Sequence, residues 1–131
     1  MRLYTRKYVN KYYQKNKIRC IKATLSYITK RRKIDLNFNI QCRLRALFAQ
    51  AIKKYSVTGK ITTSKKYGIN YENIIEHLKP FPKNIMLYEI DHIRPLSSFN
   101  LTRRNEIKIA FAPENHQWLT IKQNREKGAK Y

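Results

Sequence analysis

The sequence predicts an α+β chain, with basic N-terminal helices followed by a C-terminal unit of two strands and a helix. Three observations carry that prediction. Apolar residues recur at helical spacing through the first 55 positions, alternation replaces that period after Asn84, and the positive charge is concentrated in the first half. At 131 residues the length matches one compact domain able to bury a core of its own.

Residues 2 to 16 place Tyr4, Tyr8 and Tyr12 at steps of four, with Lys7, Lys11 and Lys15 beside them, and predict a helix with three rings on one face. Such rings can stack on bases, but tyrosine at helical spacing more often packs against a neighbour, and packing is the preferred reading. Ile18, Ile21, Leu25 and Ile28 form one stripe of a second helix, near whose end stand Lys30, Arg31, Arg32 and Lys33. Cations suit a helix C-terminus, yet four in succession repel one another unless an anion lies across them, so phosphate contact is expected there.

Asp35 or Asn37 offers the cap of a third helix, in which Ile40, Leu44, Leu47, Phe48, Ala51 and Ile52 follow i, i+4, i+7, i+8, i+11, i+12. That stripe is wide enough for a core face, and Arg43, Arg45, Lys53 and Lys54 fall elsewhere around the helix, where they can reach phosphates. From Ser56 to Lys66 the periodicity stops around Gly59, and a loop is expected. A short helix restarts after an Asn70 cap, with Ile69 and Ile74 as a hydrophobic staple, and runs to about Leu78, where Lys79-Pro80-Phe81-Pro82 ends it.

Residues 84 to 93 read as a strand, apolar at Ile85, Leu87 and Ile90, which Pro95 prevents from continuing as a central strand. A loop through Ser97, Ser98 and Asn100 leads to one or two helical turns over 106 to 112. A second strand over 116 to 120 enters a helix that carries Asn124 and stops at Gly128. The organisation expected is a basic helical region over 1–57, a loop and short helix over 58–83, and strand, loop, strand and helix over 84–131.

The formal charge of +21, from 29 Lys and Arg against 8 Asp and Glu, exceeds what solubility asks for and implies a polyanionic partner. Residues 1 to 71 hold most of the cations and a single acid, Asp35, so the non-specific grip belongs to the first half and the acids able to hold a cation to the second. No apolar run approaches the ~20 residues of a membrane span, and the start Met-Arg-Leu-Tyr-Thr-Arg-Lys-Tyr has no secretory h-region, so an intracellular site of action is expected rather than secretion. Cys20 and Cys42 form no CxxC pair; two buried thiols are expected, with neither a disulfide nor a structural zinc.

The chemistry concentrates in Tyr88 to Leu96 and Pro113 to Gly128. Asp91 and His92 stand side by side, Asn115 follows, and Asn124 comes after that. Hydrolysis of a phosphodiester needs a base to deprotonate water and a cation to stabilise charge on the phosphorane and the leaving oxygen. Carboxylate and amide oxygens suit magnesium better than zinc, and neutral imidazole is a competent base at cellular pH.

Glu-Ile-Asp-His-Ile-Arg-Pro-Leu-Ser-Ser-Phe, Pro-Glu-Asn-His-Gln-Trp-Leu-Thr and Asn-Arg-Glu-Lys-Gly together resemble the HNH endonucleases of the ββα-metal superfamily, in an H-N-N variant of phage or mobile-element type. The resemblance covers about residues 84 to 130, with segments like 66 to 82 also preceding the motif in phage-type members; it lacks the cysteine knuckle that many members use. It implies Asp91 and Asn124 as ligands of one Mg2+, for which Mn2+ or another divalent ion can substitute, His92 as general base, and Asn115 as the residue that ties down the loop and so holds the base in line. Arg125 and Lys127 fall where such nucleases place phosphate-contacting cations.

Several residues have blander readings. His77 is expected to pack, and His116 to be a strand residue, with an approach to the metal as the alternative. Trp118 and Phe99 are expected in the core. Glu89 lies on the face of Asp91 by strand alternation and can orient a ligand or offset positive charge. Arg94 can contact DNA or pair with Glu89. The function expected is a divalent-metal-dependent DNA endonuclease, nicking as a monomer or weak dimer, with RNA left open as a target. The alternative is a non-catalytic basic nucleic-acid-binding protein of ribonucleoprotein type on the same scaffold.

Overall fold

The computed structural model describes residues 5–55 and 64–131, so Tyr4 and most of the loop expected around Gly59 lie outside the described residues. The fold is α+β: helices with one small antiparallel sheet of two strands. The chain divides into two compact units, Met1–Asn39 and Ile40–Tyr131.

In the first unit, α1 (Arg6–Lys15) starts at Thr5, whose hydroxyl accepts from the Tyr8 amide, and ends at Asn16. α2 (Lys17–Ile34) follows without a side-chain cap. Neither helix buries a residue. Tyr8 and Tyr12 are 54% and 52% exposed, so the rings expected to be packed away stay largely in solvent; the stripe of Ile18, Ile21 and Leu25 is exposed as well.

Asp35 caps α3 (Leu36–Tyr55), its carboxylate accepting from the Phe38 amide at 3.0 Å, while Asn37 lies inside the helix. The stripe of α3 is a core face, as its period demanded: Ile40, Leu44, Phe48, Ala51 and Ile52 are all buried. Most of α3 therefore belongs to the unit Ile40–Tyr131, because those side chains pack with the C-terminal residues. Phe48 meets Phe111 edge-on at 5.4 Å and the Tyr67 ring at 5.6 Å.

After a 3-10 turn over Ser64–Tyr67, Asn70 caps α4 (Tyr71–His77) by accepting from the amides of Glu72 and Asn73. Ile69 and Ile74 flank that cap and are both buried. His77, expected to pack, is exposed at the helix end. The strand expected from 84 is shorter: the Asn84 side chain accepts from the Met86 amide and turns Ile85–Leu87 into a 3-10 turn, so that β1 is Tyr88–His92.

The 23 residues between the strands carry a 3-10 turn at Leu96–Ser98, α5 (Arg104–Ala110) and a last turn at Pro113–Asn115. α5 begins two residues earlier than expected and buries Ile107 and Ala110. β2 (His116–Thr120) pairs antiparallel with β1, Tyr88 opposite Thr120 and His92 opposite His116. Phe99 is buried, and Trp118 packs partly buried on the core, its indole N–H donating to the Leu78 carbonyl. Thr120 and Gln123 form a reciprocal capping box that starts α6 (Ile121–Lys127), and Gly128, at φ +53°, ends it. Among the described residues no helix is long and apolar enough to cross a membrane, and Cys20 and Cys42 are free, half-buried thiols.

Candidate active site

The alternation of β1 sends Glu89 and Asp91 toward α6, and Ile90 and His92 toward the core. The capping box fixes where α6 begins, so Asn124 and Lys127, one helical turn apart, descend on the first of those faces. Asn124 Nδ2 donates to Glu89 Oε2 at 2.6 Å. Lys127 Nζ lies 2.9 Å from Asp91 Oδ2 and donates to the His92 carbonyl at 2.8 Å. Gln117, opposite Asp91 in the register, donates to the same Asp91 oxygen at 2.8 Å.

Asp91 and Asn124 therefore share a face, and the intervening contacts come from two residues given other roles by the sequence. Glu89, expected only to orient a ligand or offset charge, is the direct partner of Asn124. Lys127, expected on phosphate, is turned inward with 18% of its side chain exposed and serves as the counter-ion of Asp91. Gln117 has no expected role from the sequence, although its position opposite Asp91 follows from the strand register. Glu89 and Asn124 also line an open cavity of about 460 Å3 with Arg43 and Tyr88. A larger cavity of about 760 Å3, lined by Arg45, Phe48 and Tyr71 among others, holds none of the candidate catalytic or metal-binding residues.

His92 occupies the opposite face of the strand. The residue is 6% exposed, its ring 5.0 Å from the Phe111 ring and 4.7 Å from that of His116, and its Nε2 is enclosed without a partner. Burial first, then the neighbouring His116 and the Lys127 ammonium, push the imidazole down from 6.5 to about 3, so it is neutral at cellular pH. His116 is fully buried as the first residue of β2; burial lowers its pKa too, against the raising effect of the Ala112 and Pro113 backbone.

Asn115 joins the two ends of the long connection. Its Oδ1 accepts from the Arg94 amide at 2.8 Å, and its Nδ2 donates to the carbonyls of Ala110 at 2.9 Å and Arg94 at 3.2 Å. Its own carbonyl accepts from the Ile93 amide at 2.8 Å. The strand end that carries Asp91 and His92 is thereby tied to the start of β2.

The basic candidates differ in how far they are engaged. Arg94 does not reach Glu89; it donates to the Ser98 hydroxyl and carbonyl and stacks on Phe99, 4.0 Å from the ring centroid. Arg43 donates to the carbonyls of Tyr88 and Ile85, so it braces the entry to β1. Arg31 pairs with Asp35 at 3.4 Å and lies over the Phe38 ring. Lys30, Arg32, Lys33, Lys53, Lys54 and Arg125 are exposed.

The donors on the α6 face are the carboxylate oxygens of Glu89 and Asp91 and the amide oxygen of Asn124. Such a hard set fits a largely hydrated magnesium ion and does not fit zinc, and Lys127 already places one positive charge against Asp91. Among the described residues no group of three or more His, Cys, Asp and Glu is arranged to hold a metal, so any ion there would keep most of its ligands as water. Comparison with models of protein families, with curated proteins and with solved structures returned no match.

Proposed function

We propose that the chain is a divalent-metal-dependent DNA endonuclease of the HNH type that nicks one strand, with Asp91 and Asn124 as the protein ligands of Mg2+ and His92 as the base. The observation that carries the reading is the join of β1 to α6: Glu89 and Asp91 face the helix, where Asn124 meets Glu89, while neutral His92 stands next to Asp91 on the other face of the same strand end, which the Asn115 brace holds through residues 93 and 94. Bound between Asp91 and Asn124, the ion would supply the positive charge that phosphodiester cleavage needs on the phosphorane and the leaving 3′ oxygen.

The chain's own residues supply the rest. His92, uncharged, accepts a proton from the attacking water and later releases it to solvent. Asn115 keeps residues 93 and 94 in place, which fixes the direction of the base. With an ion held between Asp91 and Asn124, the Lys127 ammonium would give up its place against Asp91 and would meet the phosphate, the role the resemblance implies. The exposed cations of 5–33 hold the polyanion by charge.

The test is incubation of purified protein with supercoiled, linear and single-stranded DNA, with and without magnesium. Relaxed circles that precede linear product, only with the metal, support the reading. No cleavage with any divalent ion, together with tight, salt-sensitive binding, supports the second reading, a non-catalytic nucleic-acid-binding protein. That reading is favoured by one observation, the Lys127 ammonium seated on Asp91, which makes the site self-neutralised without a metal.

A further inference from the structure

His92 and His116 are cross-strand partners, their rings 4.7 Å apart at 55°, and each has its Nε2 enclosed without a hydrogen-bond partner. Buried polar atoms are normally paired, so two such nitrogens on adjacent rings point to a shared explanation. Phe111 packs against both rings, at 5.0 and 6.0 Å, and offers neither of them a partner.

The tautomer of His116 follows from its other nitrogen. Nδ1 lies 2.8 Å from the Ala112 carbonyl, which can only accept; Nδ1 therefore carries the proton and Nε2 is an acceptor. A neutral His92 has one proton for two nitrogens. On Nε2 that proton is an enclosed donor beside a ring whose enclosed Nε2 is an acceptor, and it leaves a lone pair on Nδ1, the nitrogen that is not enclosed. On Nδ1 it would leave two enclosed acceptors on adjacent rings and no base where water can reach.

We propose that His116 is a positioning residue for His92: its Nε2 accepts from His92 Nε2–H, directly or through one enclosed water, and so holds the tautomer whose Nδ1 takes the proton from water. The Ala112 carbonyl fixes the His116 ring, and Phe111 packs against both rings, so the two enclosed nitrogens have each other as the neighbouring polar group. The catalytic consequence rests on the nuclease reading; the tautomer does not.

Nitrogen-15 NMR of the histidine side chains in the full chain, without added metal and at neutral pH, reads the tautomer directly. His92 is expected as Nε2–H. His116→Phe keeps a ring but removes the acceptor and is expected to raise the Nδ1–H form several-fold, while His116→Gln restores an acceptor and returns His92 to Nε2–H. In the nicking assay His116→Phe is expected to lower kcat about tenfold or more with KM retained, as loss of an orienting partner does. A wild-type His92 found as Nδ1–H overturns the proposal, as does a tautomer ratio unchanged in a folded His116→Phe. If His116→Phe does not fold, the wild-type tautomer alone decides. A protein that shows the expected tautomers but cuts nothing keeps the pairing and overturns only the nuclease reading.

Discussion

Replacing Asn115 by Ala isolates the brace at the strand end. The substitution removes three hydrogen bonds: the two to the Arg94 backbone are solvent-exposed, and the one to the Ala110 carbonyl is partly buried. Exposed groups find water when the partner goes, so those two count at about 0.5 kcal/mol each, whereas the less accessible Ala110 carbonyl counts at about 1–1.5 kcal/mol. The expected loss is therefore about 2–2.5 kcal/mol, read as a lower urea midpoint at unchanged slope. Asn115→Asp keeps the acceptor for the Arg94 amide but sets a charge against two carbonyls, so it should be no more stable than Asn115→Ala near neutral pH and should recover as the carboxyl protonates. A loss below about 0.5 kcal/mol for Asn115→Ala would refute the idea that this side chain holds the connection.

Three other expectations follow from the same geometry. His92 is held down to about 3 when folded but titrates near 6.5 when unfolded, so the unfolded chain takes up the proton first. Stability in metal-free buffer should fall by up to about 1.4 kcal/mol per pH unit as pH drops through that window, and His92→Phe should flatten the decline in urea midpoints. Neutralising the exposed Lys30, Arg32 and Lys33 should reduce the salt slope of DNA binding by about 0.9 for each phosphate left without its cation, while Arg31→Gln should change it less because Arg31 already pairs with Asp35. Leu44→Ala, at a fully buried core position of α3, should cost about 3–5 kcal/mol in chemical denaturation without altering the salt slope.

Much of the C-terminal unit was legible because its signals are local. The Asn70 cap, Gly128 and the second strand lie where the residues indicate, since each depends on neighbours close in sequence. The start of β1 differs from expectation because apolar alternation over 84–87 cannot reveal that the Asn84 side chain satisfies the Met86 amide and curls the chain. The exposure of the rings on α1 was also beyond reach, because helical spacing defines a face but not whether anything covers it.

At the site, types and order were readable, and partners were not. Strand alternation joined Glu89 to Asp91, but only the packing of α6 shows that Glu89 meets Asn124 and that Lys127 turns inward to Asp91. The spacing of Asn124 and Lys127 on one helical turn was the signal that could have revealed it. The His92–His116 contact was equally available in principle: once Tyr88 pairs with Thr120, the register puts the two histidines opposite each other.

The proposed division of labour at residues 91 and 92 is tested most directly by the rate of the first nick in supercoiled plasmid with magnesium, measured for His92→Ala and Asp91→Ala beside the unaltered chain. Removal of the base should reduce the rate by about 100-fold or more, and removal of the carboxylate should reduce it comparably, with DNA binding retained in both. If His92→Ala nicks as fast as the parent protein, His92 is not the base and the account of this site is wrong.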